Sequence, residues 1–199
     1  MAQARVLTER DIKKCLLYIA ARRHASRNRC AFLLTHLTGM RVGEVASLRI
    51  CDVLAQSGEV RDEVRLSADQ TKGKRGRLVL LSERAQAEIK QYLLARFKTQ
   101  DLQPILLTDT NRALFATQKN NQRGFSPNTL AQYFHHMYRD AGIAGASSHS
   151  GRRGFLTTLC QRGINIRLIQ ELAGHRSLAV TQRYLDVNPA MLRNAVELL

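Results

Sequence analysis

Between positions 50 and 81 the apolar residues change their spacing, and that change sets the fold class. On either side they recur every three to four residues, the period of one helix face. Inside the window they alternate: VRLSA, then the glycine-bearing basic turn TKGKRG, then RLVLL, the pattern of two short strands joined by a hairpin. Upstream, Thr8 with Asp11 three residues on opens a helix over about 9–23 that carries Ile12, Leu16 and Ile19, with Cys15 and Ala20 beside them. The apolar run CAFLLTHL, 30–37, makes a second helix that stops at Gly39, and 40–48 reads as a further turn and helix. The junction 39–41 is expected to expose its side chains. Downstream, helices over about 83–98 and 127–141 flank a polar loop, 109–126. The second sets Leu130, Phe134, Met137 and Ala141 on one face and Asn128, Gln132, His135 and Arg139 on the other. Three short helices follow, over about 150–162, 165–173 and 177–186, before Pro189 breaks the chain. After it, AMLRNAVELL puts Leu192, Val196 and Leu199 on one stripe. The chain is expected to be mainly α (α+β): a helical body with one small antiparallel hairpin. Its 199 residues suffice for one sizeable core, which assigns 1–188 to a single domain and 189–199 to an amphipathic tail.

Charge narrows the partners. Lys and Arg number 31 against 16 Asp and Glu, a net +15 that far exceeds what solubility asks and that points to a polyanion. The basic residues are spread along the chain, so the folded body carries the field, which favours nucleic acid over acidic lipid. No apolar run approaches the ~20 residues of a membrane span and the N-terminus has no uncharged h-region, so no membrane partner and a cytoplasmic location are expected. Cysteines 15, 30, 51 and 160 lack CxxC spacing and read as free thiols, Cys15 and Cys30 buried in apolar helices. Neither a P-loop nor a ligand cluster at metal spacing is present, so no cofactor and no metal is expected.

Six polar residues stand at the ends of these elements: Arg41, Lys72, His149, Arg152, His175 and Tyr184. Singly, each has a structural reading: a solvated arginine, a turn lysine, a capping histidine, an aromatic packed one turn from Val180. As an ordered set they carry more. The run TGMRVGEVASLR (38–49), the hairpin TKGKRGRLVL, HSGR at 149–152, the AGH that ends at His175 and a tyrosine nine residues later resemble the tyrosine recombinase (phage integrase) family. The resemblance spans about residues 8–187. It implies the helical catalytic domain of that family in a short form, without the N-terminal core-binding domain: either a minimal recombinase like the fimbrial-switch DNA inversion enzymes or a piece of a longer protein. Gly151 departs from the pattern, standing where the family usually has an apolar residue, commonly leucine.

The resemblance also implies roles. Breaking a phosphodiester builds charge on the non-bridging oxygens, which preorganised cations stabilise. Arg41 and Arg152 suit that task because a guanidinium offers two parallel hydrogen bonds and stays charged. Tyr184 is the nucleophile. Its phenol, with an ordinary pKa near ~10, is only about one part in a thousand ionised at pH 7 and needs a base and a cationic pocket. His149 takes the place of that base, His175 that of a hydrogen bond to the scissile phosphate, Lys72 that of the acid for the departing 5′ oxygen, and Glu44 that of the acidic residue steadying Arg41. The implied product is a 3′-phosphotyrosyl link with a free 5′ hydroxyl, made without ATP or metal. Double-stranded DNA is the partner, with Lys74, Arg75 and Arg77 expected to extend the hairpin's charge towards its backbone and Asn128, Gln132, His135 and Arg139 to reach bases or phosphates. Self-association is expected to be weak in the free protein and tetrameric on DNA, with accessory DNA-bending proteins as further partners and the tail docked on a neighbouring protomer or on its own domain. Two other readings share parts of this pattern: a type IB topoisomerase and a DNA-binding regulator without catalysis.

Overall fold

A helix that is apolar all round must be surrounded, and the run at 30–37 is such a helix. A computed structural model, which describes residues 4–107, 110–118, 123–184, 193, 196 and 197, places it at the centre. In α2 (Ala25–Leu37), Cys30, Ala31, Phe32, Leu33, Leu34 and Thr35 are all buried. Around it pack α1 (Glu9–Ala20), α5 (Glu83–Phe97) and α7 (Ser150–Gln161). α1 starts as expected: Thr8 Oγ1 accepts from the Asp11 amide while the Asp11 carboxylate accepts from the Thr8 amide. It ends at Ala20, short of position 23, and α2 begins five residues ahead of the apolar run. Arg27 explains the early start, because its buried guanidinium donates to Ala116 O (2.8 Å) and lies 4.7 Å over the Phe125 ring. That pair of contacts pulls a polar stretch into the helix.

Gly39 takes the left-handed conformation (φ +65°) that the helix stop requires. The exposed junction expected beyond it is corrected at Met40, which is 1% exposed, since α3 (Val42–Ser47) turns directly back into the core. The alternating window also begins differently: 50–53 forms one helical turn, α4 (Ile50–Val53), closed by Asp52 accepting from the Arg49 amide. β1 (Glu63–Leu66) and β2 (Arg77–Leu80) then pair antiparallel, Glu63 opposite Leu80 and Leu66 opposite Arg77, with Val64, Leu66 and Val79 buried. A 3-10 turn at Ala68–Gln70 and the basic loop 71–76 join them.

α6 (Pro127–Asp140) packs on α3 and divides as its spacing predicts. Leu130, Phe134 and Met137 are buried; Asn128, Gln132, His135 and Arg139 are exposed. The loop before it is less solvated than expected. Leu114 and Phe115 are fully buried, Phe115 stacks on Tyr92 at 5.4 Å, and single bridges pair Arg49 with Ala113 and Ala116 with Gly124. α7, α8 (Ile166–Ala173) and α9 (Leu178–Gln182) enclose a second, smaller apolar cluster of Leu156, Cys160, Ile169 and Ala173, against which Phe155, Leu159 and Tyr184 pack. α9 ends at Gln182; the expected tail, with Pro189, Leu192 and Leu199, lies outside the described residues, and Val196 is exposed. The four cysteines are free, with Cys15, Cys30 and Cys160 buried, and burial pushes the Cys15 thiol up to about 12. Among the described residues no helix is long and apolar enough to cross a membrane.

Gly151 has a packing reason. A methyl group there would run into Thr35 Oγ1 and lie 2.8 Å from Thr35 Cβ, and that hydroxyl is itself pinned to Phe32 O (2.7 Å). The missing side chain lets α7 sit close on α2, and Thr35 and His36 fill the space the family's usual apolar residue would occupy. Gly151→Ala gains about 1 kcal/mol of helix propensity and loses about 1–3 kcal/mol to overpacking. A thermal melt is therefore expected to show a fall of a few degrees; a rise would mean that α2 and α7 separate freely.

Candidate active site

The site is organised by a buried cation. Arg152, in the first turn of α7, is 4% exposed, yet none of its hydrogen-bond partners is a carboxylate. Its Nη1 donates to Gly39 O (2.7 Å), and its Nη2 donates to Ala173 O (2.7 Å) and to His175 Nε2 (2.8 Å). Ala173 O ends α8, where carbonyls lack intrahelical partners and the helix dipole is negative, and Gly39 O belongs to the turn that follows α2. Burial, with the like charges of Arg41 and Arg77, lowers the Arg152 guanidinium to about 10, while Glu44 and the Tyr184 phenol pull the other way. It stays charged at neutral pH.

Arg41 stands at the head of α3, two residues beyond the carbonyl that Arg152 holds. Its backbone N–H donates to Glu44 Oε2 (2.8 Å) and its Nη1 to Oε1 (2.9 Å), leaving the side chain about one third exposed. Glu44 is 1% exposed and has a second partner. Arg77 donates to it through Nε (3.2 Å) and Nη2 (2.8 Å) and reaches Leu172 O with Nη1 (3.0 Å). Burial alone would raise the Glu44 carboxyl, but the hydrogen bonds and charges of Arg77 and Arg41 outweigh it and hold it below the usual carboxylate value. The outward placement expected for Arg77 is thus corrected. Its side chain is only 10% exposed, because strand alternation puts it on the same face of β2 as buried Val79.

The other cations gather round these two. Arg41, Arg77, His175 and loop 71–76 line an open cleft of about 1040 Å³, closed on the far side by Leu172, Gly174 and Arg176. Lys72 is exposed on its rim. Arg176 donates to Gly73 O (2.7 Å) and so tethers the loop to the turn that follows α8. His149 begins α7 but does not cap it with its side chain; Ser150 Oγ accepts from the Ser147 amide (3.0 Å) instead. Partial desolvation and the charges of Arg152, Arg41 and Lys72 keep the His149 imidazole below its ordinary value. The same causes, with Arg152, Arg41 and Arg77 as the cations, take His175 down to about 4. Both rings are neutral at pH 7.

Tyr184 closes the arrangement. Its ring stacks on that of His175, centroids 5.8 Å apart and 16° from parallel, over the Leu156 cluster. Its amide donates to Thr181 O (3.0 Å), and Thr181 Oγ1 lies 2.9 Å from His175 Nδ1. Arg41, Lys72, His149, Arg152, His175 and Tyr184, which come from separate segments of the chain, therefore share one electrostatic neighbourhood with Glu44. Lys74 and Arg75 are exposed on the loop beside it. Asn128, Gln132, His135 and Arg139 lie on the open face of α6, and none of them lines the cleft. Sequence reasoning passed over Thr181, whose only signal is its place one helical turn before Tyr184.

The model of the phage integrase family matches residues 5–191. Tyrosine recombinase XerA of Pyrococcus furiosus is 35% identical over 192 residues, which cover 96% of this chain and 60% of the relative. A crystal structure of XerA recombinase superposes with a TM-score of 0.72 at 25% identity, over 98% of this chain and 65% of that one. The XerH site-specific recombinase bound to its difH substrate shares the fold, with a TM-score of 0.68 at 24% identity, over 96% and 53%. The chain thus spans about 60% of the length of the XerA relative. With the family model matched along nearly its whole length and the motif residues gathered at one site, the chain belongs to the phage integrase family.

Proposed function

We propose that this chain cuts and rejoins DNA strands as the catalytic unit of a site-specific tyrosine recombinase, with residues 1–188 as that unit and 189–199 as a tail. The observation that carries the reading is the gathering of Arg41 and Arg152 from distant segments, with the Tyr184 phenol within electrostatic reach of Arg152. XerH, which has the same fold, is bound to its DNA substrate, and double-stranded DNA is the partner proposed here. Assembly on DNA is proposed to be tetrameric, in the cytoplasm.

In the proposed reaction Arg41 and Arg152 hold the non-bridging oxygens of one phosphate. The Tyr184 oxygen attacks phosphorus, His149 accepts the phenolic proton, and the bond to the 5′ oxygen breaks as Lys72 protonates it. A 3′-phosphotyrosyl link and a free 5′ hydroxyl result, and attack by another strand's hydroxyl reverses the step. Charge accounting gives Arg77 a part. Glu44 paired with Arg41 alone would cancel that charge and leave Arg152 as the single surplus among these groups, whereas Arg77 sharing the carboxylate raises the surplus by one.

On a nicked suicide duplex, wild type is expected to form a covalent adduct and Tyr184→Phe none, at unchanged DNA affinity. Arg152→Lys is expected to slow cleavage by roughly 100- to 1000-fold, the usual cost of one preorganised donor. Relaxation of a supercoiled plasmid that carries no recombination site would favour the topoisomerase reading. Because His149 is held below the ordinary imidazole value, it remains a competent base as pH falls through about 6.5. In the DNA-free protein the His149 ring should titrate below about 6.5 when followed by NMR, and cleavage should slow as the ring protonates; a DNA-free midpoint above 6.5 would mean that its neighbours do not depress it. Arg77→Gln is expected to slow cleavage, and adding Glu44→Gln to recover part of the loss. Additive losses in the double-mutant cycle would remove Arg77 from the charge account.

A further inference from the structure

We infer that Thr181 is a positioning residue that fixes which ring nitrogen of His175 faces the anion hollow. The argument begins with what each neighbour can do. An arginine only donates hydrogen bonds, so the nitrogen 2.8 Å from Arg152 Nη2, Nε2, must present its lone pair. A neutral imidazole carries a single proton, which then sits on Nδ1 and is donated to Thr181 Oγ1 at 2.9 Å. The opposite tautomer would set N–H against N–H at Nε2. Thr181 is fully buried, so no water stands ready to replace its hydroxyl.

The consequence concerns where a second proton goes. With Nδ1 occupied and bonded to Thr181, the only position left to protonate is Nε2, the nitrogen that looks towards Arg152. A phosphate entering between the cations offsets the charge repulsion that keeps the ring neutral, and Nε2 can then take up a proton and donate to the anion provided Arg152 Nη2 turns its hydrogen from Nε2 to the phosphate, since two N–H groups cannot face each other at 2.8 Å. Without the Thr181 hydroxyl the Nδ1 proton that Arg152 imposes has no acceptor, so the ring must either bury an unpaired N–H or move the proton to Nε2 and give up the bond from Arg152. Thr181 also belongs to the nucleophile's own turn, since its carbonyl accepts from the Tyr184 amide. A single residue thereby links the phenol's helix to the cation that the phosphate would meet.

The part played in strand cleavage rests on the proposed function; the tautomer does not. In the 199-residue, DNA-free chain with isotope-labelled histidine, long-range proton–nitrogen correlation reads the tautomer of each of the six histidines, and His175→Gln assigns the signal. Wild type and Thr181→Ser are expected to show a protonated Nδ1 and an unprotonated Nε2 at neutral pH. Thr181→Val, equal in shape but unable to accept, is expected to show a mixture. In single-turnover cleavage Thr181→Val should lose about 10- to 100-fold, as when the partner of a metal-bound histidine is removed, with DNA affinity unchanged and Thr181→Ser restoring most of the rate. A wild-type ring protonated on Nε2 would overturn the assignment, and that measurement needs no variant to fold. A Thr181→Val chain with the wild-type tautomer would overturn it too, even if it melts earlier, because packing alone would then explain the residue. The expected tautomers together with no adduct from wild type would sink the recombinase reading and leave Thr181's role intact.

Discussion

Everything at the site depends on how one guanidinium is kept charged while 4% exposed. A buried cation is usually matched by a carboxylate, because an unpaired charge in the interior is expensive. Arg152 is matched instead by two carbonyls, Gly39 O in the turn after α2 and Ala173 O at the end of α8. Carbonyl dipoles solvate the cation without cancelling it. The positive charge is still there for an anion to meet. The arrangement also fixes geometry, since α2, α7 and α8 cannot shift relative to one another without breaking one of these bonds. The C-terminus of α8 serves twice, with Leu172 O held by Arg77 and the adjacent Ala173 O by Arg152.

Glu44 follows the same logic. One carboxylate with two arginines is a pair with a charge to spare, and His149 and His175, both neutral, neither add to the surplus nor relieve it. Burial first, and the neighbouring guanidinium charges second, push both imidazoles and the Arg152 guanidinium towards the form with less positive charge. Among the described residues Glu44 is the one acid paired with these arginines, and on the proposed reading the DNA phosphate takes up the remaining charge.

Much of this was legible before any coordinates. The period of α6, the cap at Thr8 and the change to alternation at the hairpin each rest on local rules that tertiary packing did not override. The early start of α2 was not legible, because Arg27 is helical on account of a carbonyl and an aromatic ring distant in sequence. Arg77 is more instructive. In RLVLL the alternation that buries Val79 and Leu81 and exposes Leu78 and Leu80 also sends Arg77 inward, but its charge argued for solvent. Pattern outranked residue type, and the reason is Glu44, whose distance along the chain hid it. The six site residues were legible only as an ordered set. Their convergence depends on Gly39 O and Ala173 O, backbone atoms that no side-chain motif records.

Two populations of positive charge can now be separated. Lys72, Lys74 and Arg75 are exposed on a loop, where salt screens them within about 10 Å at moderate ionic strength. Charges of that kind attract any nucleic acid and release it as salt rises. Arg152 is buried, Arg77 is largely covered, and each is held by at least two partners, so screening touches them little. An anion must come to them, because they cannot swing out to it. On the proposed reading the net +15 of the chain brings the duplex near, but Arg152, held in place with the partly exposed Arg41 beside Glu44, is what distinguishes the one phosphate within reach of Tyr184 from the others. Selectivity for a single bond on a uniform polyanion is therefore a matter of burial more than of charge.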